Sequence, residues 1–183
     1  MPKPYFPQED KIARMLRVNH AGEYGAKVIY QGQIDFIKNP QHKKLILHMQ
    51  QQELEHLEFF HEQLIQRKNA GYSVRPTILL PFWHVLGYCA GAMSAACATK
   101  WAMHLTESIE EVIVQHYEQQ IEELTAYYPK EQHLLAKIKK FRNDEAEHID
   151  IAADYSSKNI FSYMCYSFTR AICKAAIKLS KRF

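Results

Sequence analysis

The chain carries one acidic half-pattern twice, and this repetition constrains its fold more than any other feature. Glu23 is followed thirty residues on by Glu53-Leu-Glu-His56, and Glu110 is followed thirty-five residues on by Glu145-Ala-Glu-His148. Side chains at i and i+3 share a face of an α-helix, so each Glu-x-x-His pair addresses one point beside its helix. A lone Glu from each of two helices, joined by a Glu-x-x-His from each of two others, builds a carboxylate-bridged two-metal site inside a helical bundle. The expectation is an all-α fold whose four long helices surround a buried acidic cluster.

A single Glu-x-x-His carries little weight. With 15 Glu and 10 His in 183 residues, about one such pair is expected at random. The third instance, Glu58-Phe-Phe-His61, has to be separated from the other two by helical phase. Ile46, Met49, Glu53, His56, Leu57, Phe60 and Leu64 trace one stripe at three- and four-residue steps. Glu58 lies roughly 140° round from Glu53, which assigns Glu58 and His61 to a solvated flank. The same phasing gives Ile12, Leu16, Asn19, Glu23, Ala26 and Tyr30 on the first helix. It gives Met103, Thr106, Glu110, Ile113, Tyr117, Ile121 and Leu124 on a later one, and Leu134, Ile138, Phe141, Glu145, His148 and Ala152 on the next. Glu107 and Glu111 compete with Glu110, and the stripe selects Glu110 because Glu111 is ~100° off it.

Carboxylates are almost never fully buried unless they are paired or bound to metal. An uncompensated one either destabilises the fold or becomes protonated. Any one of these glutamates, read alone, is as well explained by partial exposure or by a Lys or Arg partner. Six acidic and imidazole residues in phase and in order point instead to two cations. Mixed carboxylate and imidazole ligation suits iron or manganese better than zinc, whose structural sites favour thiolates.

The length of 183 residues fits one domain, 1–183, with a substantial core. Apolar residues at 47% and charged residues at 23% exclude a disordered or fibrous chain. Gly and Pro lie between long uninterrupted stretches. These give bundle helices over 10–38, 41–69, 101–127 and 130–155, and further helices over 78–99 and 159–182. No strand-like alternation occurs over a useful length. Cys89, Cys97, Cys165 and Cys173 sit in helical runs without a CxxC, so the simplest reading is a reducing compartment with no disulfide framework. Met1 to Asp10 reads as neither a secretory nor a transit segment.

The stretch 76–99 holds 24 residues without a charge, long enough to span a bilayer. Pro81, His84 and its small residues make it only modestly hydrophobic, so it is expected to lie in one leaflet or at the interface. The final segment carries Lys158, Arg170, Lys174, Lys178, Lys181 and Arg182 and no acid. Phe161, Tyr163, Tyr166 and Phe168 interleave with that basic face, a pattern suited to an anionic membrane surface. The competing reading makes both segments core or oligomer-contact helices. No nucleic-acid-binding motif accompanies the basic tail.

Leu16-Arg-Val-Asn-His-Ala-Gly-Glu-Tyr-Gly-Ala26, followed by Ile29-Tyr-Gln-Gly-Gln33, resembles the 5-demethoxyubiquinone hydroxylase family. Glu53-Leu-Glu-His-Leu57, Ile109-Glu-Glu111 with His116-Tyr117, Lys139-Lys-Phe-Arg142 before Glu145-Ala-Glu-His148, and Pro81-Phe-Trp-His-Val-Leu-Gly87 extend the resemblance over about residues 10 to 182. It implies a ferritin-like four-helix bundle with additional membrane-associated helices. The family's six iron ligands correspond to Glu23, Glu53, His56, Glu110, Glu145 and His148, the same residues that the stripes select. Asn19 departs from the Asp usual in the first motif, one turn before Glu23, which changes a neighbour of that ligand.

The activity implied by the resemblance is hydroxylation of a demethoxylated polyprenyl quinone late in ubiquinone biosynthesis. Two iron ions, dioxygen as co-substrate and NADH as electron source would serve it. The quinone tail would stay in lipid and the protein would be peripheral. It would sit on the cytoplasmic face of a bacterial inner membrane, or on the matrix side of the mitochondrial inner membrane, with a quinone-biosynthesis complex as a further partner. Tyr117, in phase with the site, is a candidate for electron or proton transfer and equally reads as a core tyrosine with a satisfied hydroxyl. His20 reads as a ligand-orienting group or as a helix-surface histidine. Two rival functions remain open: an iron-handling protein of the ferritin or rubrerythrin kind, and a metal-free lipid-binding subunit of a quinone-synthesis complex.

Overall fold

The computed structural model describes residues 7–155 and 160–183, with backbone alone at 7–10 and 161. The leading residues 1–6, Lys158 and the expected helix start at 159 lie outside the described residues, as does the side chain of Phe161. The described residues form six α-helices and no strand. They are α1 (Pro7–Phe36), α2 (Pro40–Asn69), α3 (Leu80–Cys97), α4 (Thr99–Tyr127), α5 (Gln132–Ala153) and α6 (Ile160–Ser180).

Local chemistry sets the ends. Asn39 caps α2, its side-chain oxygen accepting from the backbone N–H groups of Gln41 at 2.9 Å and His42 at 3.3 Å. Pro40 therefore opens α2 at its first position, where a missing N–H costs nothing. At the other end Tyr72 N donates to Arg67 O and Gly71 N to Lys68 O, both at 3.0 Å. This is a Schellman stop, and it needs a left-handed residue, supplied by Gly71 at φ 95°. A single extended residue, Ala98, separates α3 from α4, so α4 starts at Thr99 rather than at 101.

Two apolar layers enclose a polar one. Ile12, Leu16, Phe60, Leu64, Leu124, Leu134 and Ile138 form one layer. Tyr30, Ile34, Ile46, Met49, Met103 and Ala152 form the other. α1 and α5 run from the first layer to the second, and α2 and α4 run the opposite way, so the midpoints of all four helices meet between the layers. α3 lies along α1 and reaches α4, while α6 covers α4 and part of α1.

Close backbone approach explains the α1–α3 contact. A Cβ added at Gly91 would meet the Ile29 carbonyl, and one at Gly32 would meet the Tyr88 carbonyl and Ala92 N. Outward from these contacts, Phe82, Val85 and Met93 of α3 and Tyr163, Met164 and Phe168 of α6 are exposed. No helix among the described residues is long and apolar enough to cross a membrane.

Candidate metal centre

The mid-helix residues of all four stripes converge. Glu23 of α1, Glu53 and His56 of α2, Glu110 of α4, and Glu145 and His148 of α5 are each no more than 2% exposed. They form two overlapping groups. Glu23, Glu53, His56 and Glu145 offer donor atoms within 4.8 Å of one another, and so do Glu53, Glu110, Glu145 and His148. Glu53 and Glu145 belong to both groups. The two oxygens of Glu145 face different histidines: Oε1 lies 3.0 Å from His56 Nδ1 and Oε2 lies 2.9 Å from His148 Nδ1. Glu23 Oε2 stands 3.6 Å from His56 Nδ1, and Glu53 Oε1 stands 3.3 Å from His148 Nδ1.

The competing residues lie elsewhere. Glu58 and His61 are exposed. Glu107 pairs with His104 at 3.7 Å. Glu111 turns toward α6, where Tyr166 and Arg170 both donate to it. His20 is buried against His61, ring centroids 5.6 Å apart, outside the acidic groups. Burial, aided by His61, lowers the His20 pKa to about 4.

Two residues beside the cluster, Asp144 and Gln52, were not singled out by motif or phase. The outer nitrogen of His56, Nε2, lies 3.0 Å from Asp144 Oδ2, and that of His148 lies 2.9 Å from Gln52 Oε1. Each is the residue immediately before a Glu-x-x-His, and each serves the histidine of the opposite motif. The doubled pattern could have drawn attention to that position; the crosswise pairing follows only from packing. Lys140 holds Asp144 in turn at 2.6 Å. Two tyrosines that the stripes had placed on the inner face also reach the cluster: Tyr117, the transfer candidate, donates to Glu23, and Tyr30 donates to Glu110 Oε1 at 2.6 Å.

These side chains cannot all carry their ordinary charge unaided. Burial, followed by repulsion from Glu145 and the other acids, pushes Glu53 and Glu110 well above the usual carboxylate range. Burial acts the same way on Glu145, but His148 and His56 outweigh it and bring that pKa to about 2. Burial would lower the His56 pKa, yet Asp144, Glu145 and Glu23 raise it to about 11. The Tyr30 and Tyr117 hydroxyls, pushed up by burial and then by the carboxylates, stay protonated and act as donors.

The donor set fits two cations. Glu53 Oε1, Glu110 Oε2, both oxygens of Glu145 and the Nδ1 atoms of His56 and His148 are buried without a hydrogen-bond partner. Leaving so many buried polar atoms unsatisfied is costly, and metal coordination would satisfy them together. Four carboxylates balance two divalent ions, and a set of oxygen and imidazole donors without thiolate suits iron or manganese.

An apolar cavity of about 300 Å³ lies beside this centre, between α1, α3, α4 and α6. Val18, Gly22 and Ile29 line it from α1, Trp83 and Leu86 from α3, Ile109 and Ile113 from α4, and Phe168 and Ile177 from α6. A second hollow of about 10 Å³ adjoins it and is bounded by Asn19, Glu23, His116 and Tyr117. There Asn19 and Gln120 exchange hydrogen bonds of 2.7 and 2.8 Å, and Gln120 Nε2 lies 2.7 Å from His116 Nε2.

Comparison with known proteins adds an independent line. The family described as Ubiquinone biosynthesis protein COQ7 matches residues 10–180. The chain is 40% identical over 175 residues to NADPH-dependent 3-demethoxyubiquinone 3-hydroxylase, mitochondrial, of Bos taurus, covering 94% of this chain and 78% of that protein. It is 38% identical over 173 residues to 3-demethoxyubiquinol 3-hydroxylase of Rhodospirillum rubrum, covering 93% and 78%. It is 32% identical over 191 residues to 5-demethoxyubiquinone hydroxylase, mitochondrial, of Saccharomyces cerevisiae, again covering 93% and 78%.

Proposed function

The chain belongs to the ubiquinone biosynthesis protein COQ7 family, and on that premise we propose that it hydroxylates the ring of a demethoxylated polyprenyl quinone at a two-iron centre. The observation that carries this reading is the pair of overlapping donor groups that share Glu53 and Glu145. Glu23, Glu53, His56, Glu110, Glu145 and His148 would hold the two ions, Glu23 and His56 from one donor group, Glu110 and His148 from the other, and Glu53 and Glu145 from both. The four helices that supply these residues form a ferritin-like bundle, and the chain is a single domain built around it. Two iron ions bound there supply the redox chemistry that activates dioxygen for insertion of one oxygen atom into the ring.

The chain's own residues do the rest. Asp144 and Gln52 fix the ring orientation of His56 and His148 through their outer nitrogens. Tyr117, protonated and in contact with Glu23, holds that carboxylate and is positioned to move a proton at its hydroxyl. The apolar cavity binds the quinone ring and keeps bulk water from the centre. The exposed apolar residues of α3 and α6, with Lys174, Lys178 and Arg182 nearby in sequence, rest on an anionic membrane surface. The quinone tail thus remains in lipid while the ring enters between helices. The bovine relative's name specifies NADPH, so the electron donor is assigned only as a reduced nicotinamide nucleotide. A membrane placement on the cytoplasmic side in a bacterium, or the matrix side in a mitochondrion, follows from the same reading, as does a place in a quinone-biosynthesis complex.

The cavity favours this function over iron handling, which needs no apolar chamber beside the metals. The six buried donors disfavour a metal-free lipid-binding subunit. The test is complementation of a strain lacking this hydroxylation, followed by analysis of its quinones. The wild-type chain restores ubiquinone and Glu23→Ala does not. Equal recovery with both, or with neither, contradicts the proposal.

A further inference from the structure

The apolar chamber beside the metal centre has two unlike ends. Leu86 of α3 and Phe168 and Ile172 of α6 line it and are also exposed, so they form its mouth among the outward-facing apolar residues of those helices. Two to three turns further along α6, Trp83 and Ser180 close the other end, the indole N–H donating to Ser180 Oγ at 3.2 Å. Ser180 is buried, whereas Thr169 and Cys173, which also line the chamber, are half-buried. Ile177, one turn before Ser180, lines both the chamber and the small hollow that reaches Glu23 and Tyr117. The closed, polar end therefore lies on the Glu23 side of the metal centre.

We propose that the Ser180 hydroxyl is the donor that holds one carbonyl oxygen of the quinone ring. The proposal rests on the hydroxylase reading above and adds a ring contact to it. Ser94, Ser108 and Thr125 each return their hydroxyl proton to a carbonyl of their own helix, at 2.8 Å to Gly91 O, 2.6 Å to His104 O and 2.7 Å to Ile121 O. Ser180 does not: among the described residues, its side chain's one hydrogen bond is the one it accepts from Trp83. A hydroxyl carries one proton and two lone pairs. The indole engages a lone pair, so the proton stays uncommitted. An uncommitted donor buried in an apolar wall is costly, and an acceptor on a ligand removes that cost. A quinone carbonyl is such an acceptor. Thr169 lies about three turns away along α6, out of reach of the same ring. The chamber thus offers one buried donor at its closed end and an apolar mouth at the other, the order of polar ring and prenyl tail in the proposed substrate. Holding one oxygen confines the vacant ring carbon to two distances from Ser180, ortho or meta to that carbonyl.

The test is infrared spectroscopy of a short-chain demethoxylated quinone, isotope-labelled at one carbonyl at a time, bound to the iron-free protein in detergent. In the wild type, one carbonyl band is expected at lower frequency than for the same quinone in hexane. Trp83→Phe is expected to keep the lowered band, since the Ser180 proton remains. Trp83→Phe/Ser180→Ala removes both hydrogen-bonding partners, a change that leaves stability nearly unaltered, and is expected to lose the band. Its kcat/KM, once iron-loaded, is expected to fall about threefold to tenfold below that of Trp83→Phe, with iron content unchanged. A lowered band that survives in the double variant, a band already lost in Trp83→Phe, or equal kcat/KM in the two variants overturns the assignment. A wild-type chain that hydroxylates the quinone without a lowered band overturns the Ser180 contact alone. One that shows the band and never hydroxylates overturns the hydroxylase reading alone, so the two failures are distinct.

Discussion

Asp144 of α5 grips His56 of α2 across the bundle, its Oδ2 3.0 Å from the ring nitrogen opposite the one that meets Glu145. A carboxylate on the outer nitrogen fixes the tautomer, aims the inner nitrogen at the cluster and raises its basicity as a ligand. Asp144→Asn keeps the shape and removes the charge. Its affinity for Fe(II) or Mn(II), measured by chelator competition, is predicted to fall about 10- to 100-fold. Gln52→Leu, which removes a neutral partner from His148, is predicted to cost less. Equal affinities for wild type and Asp144→Asn would contradict the role given to this pair.

Tyr117 touches Glu23 yet is not one of the metal-facing donors. Tyr117→Phe should therefore retain two iron ions per chain while slowing hydroxylation. Leaving a buried Glu23 oxygen without its donor should also destabilise the protein by about 1–3 kcal/mol in urea unfolding. Loss of iron in Tyr117→Phe would place the tyrosine among the ligands instead.

The metal-free protein should lose stability as pH rises. The folded-state pKa values of Glu53 and Glu110 lie above the ordinary carboxylate range, and that of His56 lies at about 11 against an ordinary 6.5. Groups raised in this way contribute stability below their unfolded values and lose it as pH climbs through their folded ones. Glu145, held at about 2, acts oppositely, but its contribution is lost only under acid, below an ordinary 4.5. Chelator-stripped protein is thus predicted to melt at progressively lower temperature between about pH 6.5 and 8.5, above the range in which His20, lowered to about 4, adds stability as pH rises. Metal uptake should release protons and flatten that slope. A stripped protein that gains stability over the same range would contradict the assignment.

Two glycines of α1 and α3 should respond in opposite directions. A Cβ at Gly91 would strike the Ile29 carbonyl, whereas one at Gly25 meets nothing within 4 Å. Gly91→Ala is predicted to destabilise by about 1–3 kcal/mol through forced separation of α1 and α3. Gly25→Ala is predicted to stabilise by up to about 1 kcal/mol through helix propensity. Denaturant midpoints of the two variants decide this.

The stripes drawn from residue spacing were enough to bring Glu23, Glu53, His56, Glu110, Glu145 and His148 to one layer, because a 3.6-residue period fixes which side chains share a face. They also separated Glu110 from Glu111, since one residue is ~100° of rotation. What spacing could not convey is register between helices. The crosswise partnership of Asp144 with His56 and Gln52 with His148 depends on how α2 and α5 slide past each other. The same holds for the cavity: Trp83, Ile113 and Ile177 lie far apart in sequence and meet only because α3 and α6 close on α1.

The most direct test of the two-metal centre is anomalous diffraction at the iron edge from crystals of the iron-loaded protein. Two peaks per chain are predicted, about 3.5–4 Å apart, each in contact with both Glu53 and Glu145. One peak, or two peaks that do not share those carboxylates, would contradict it.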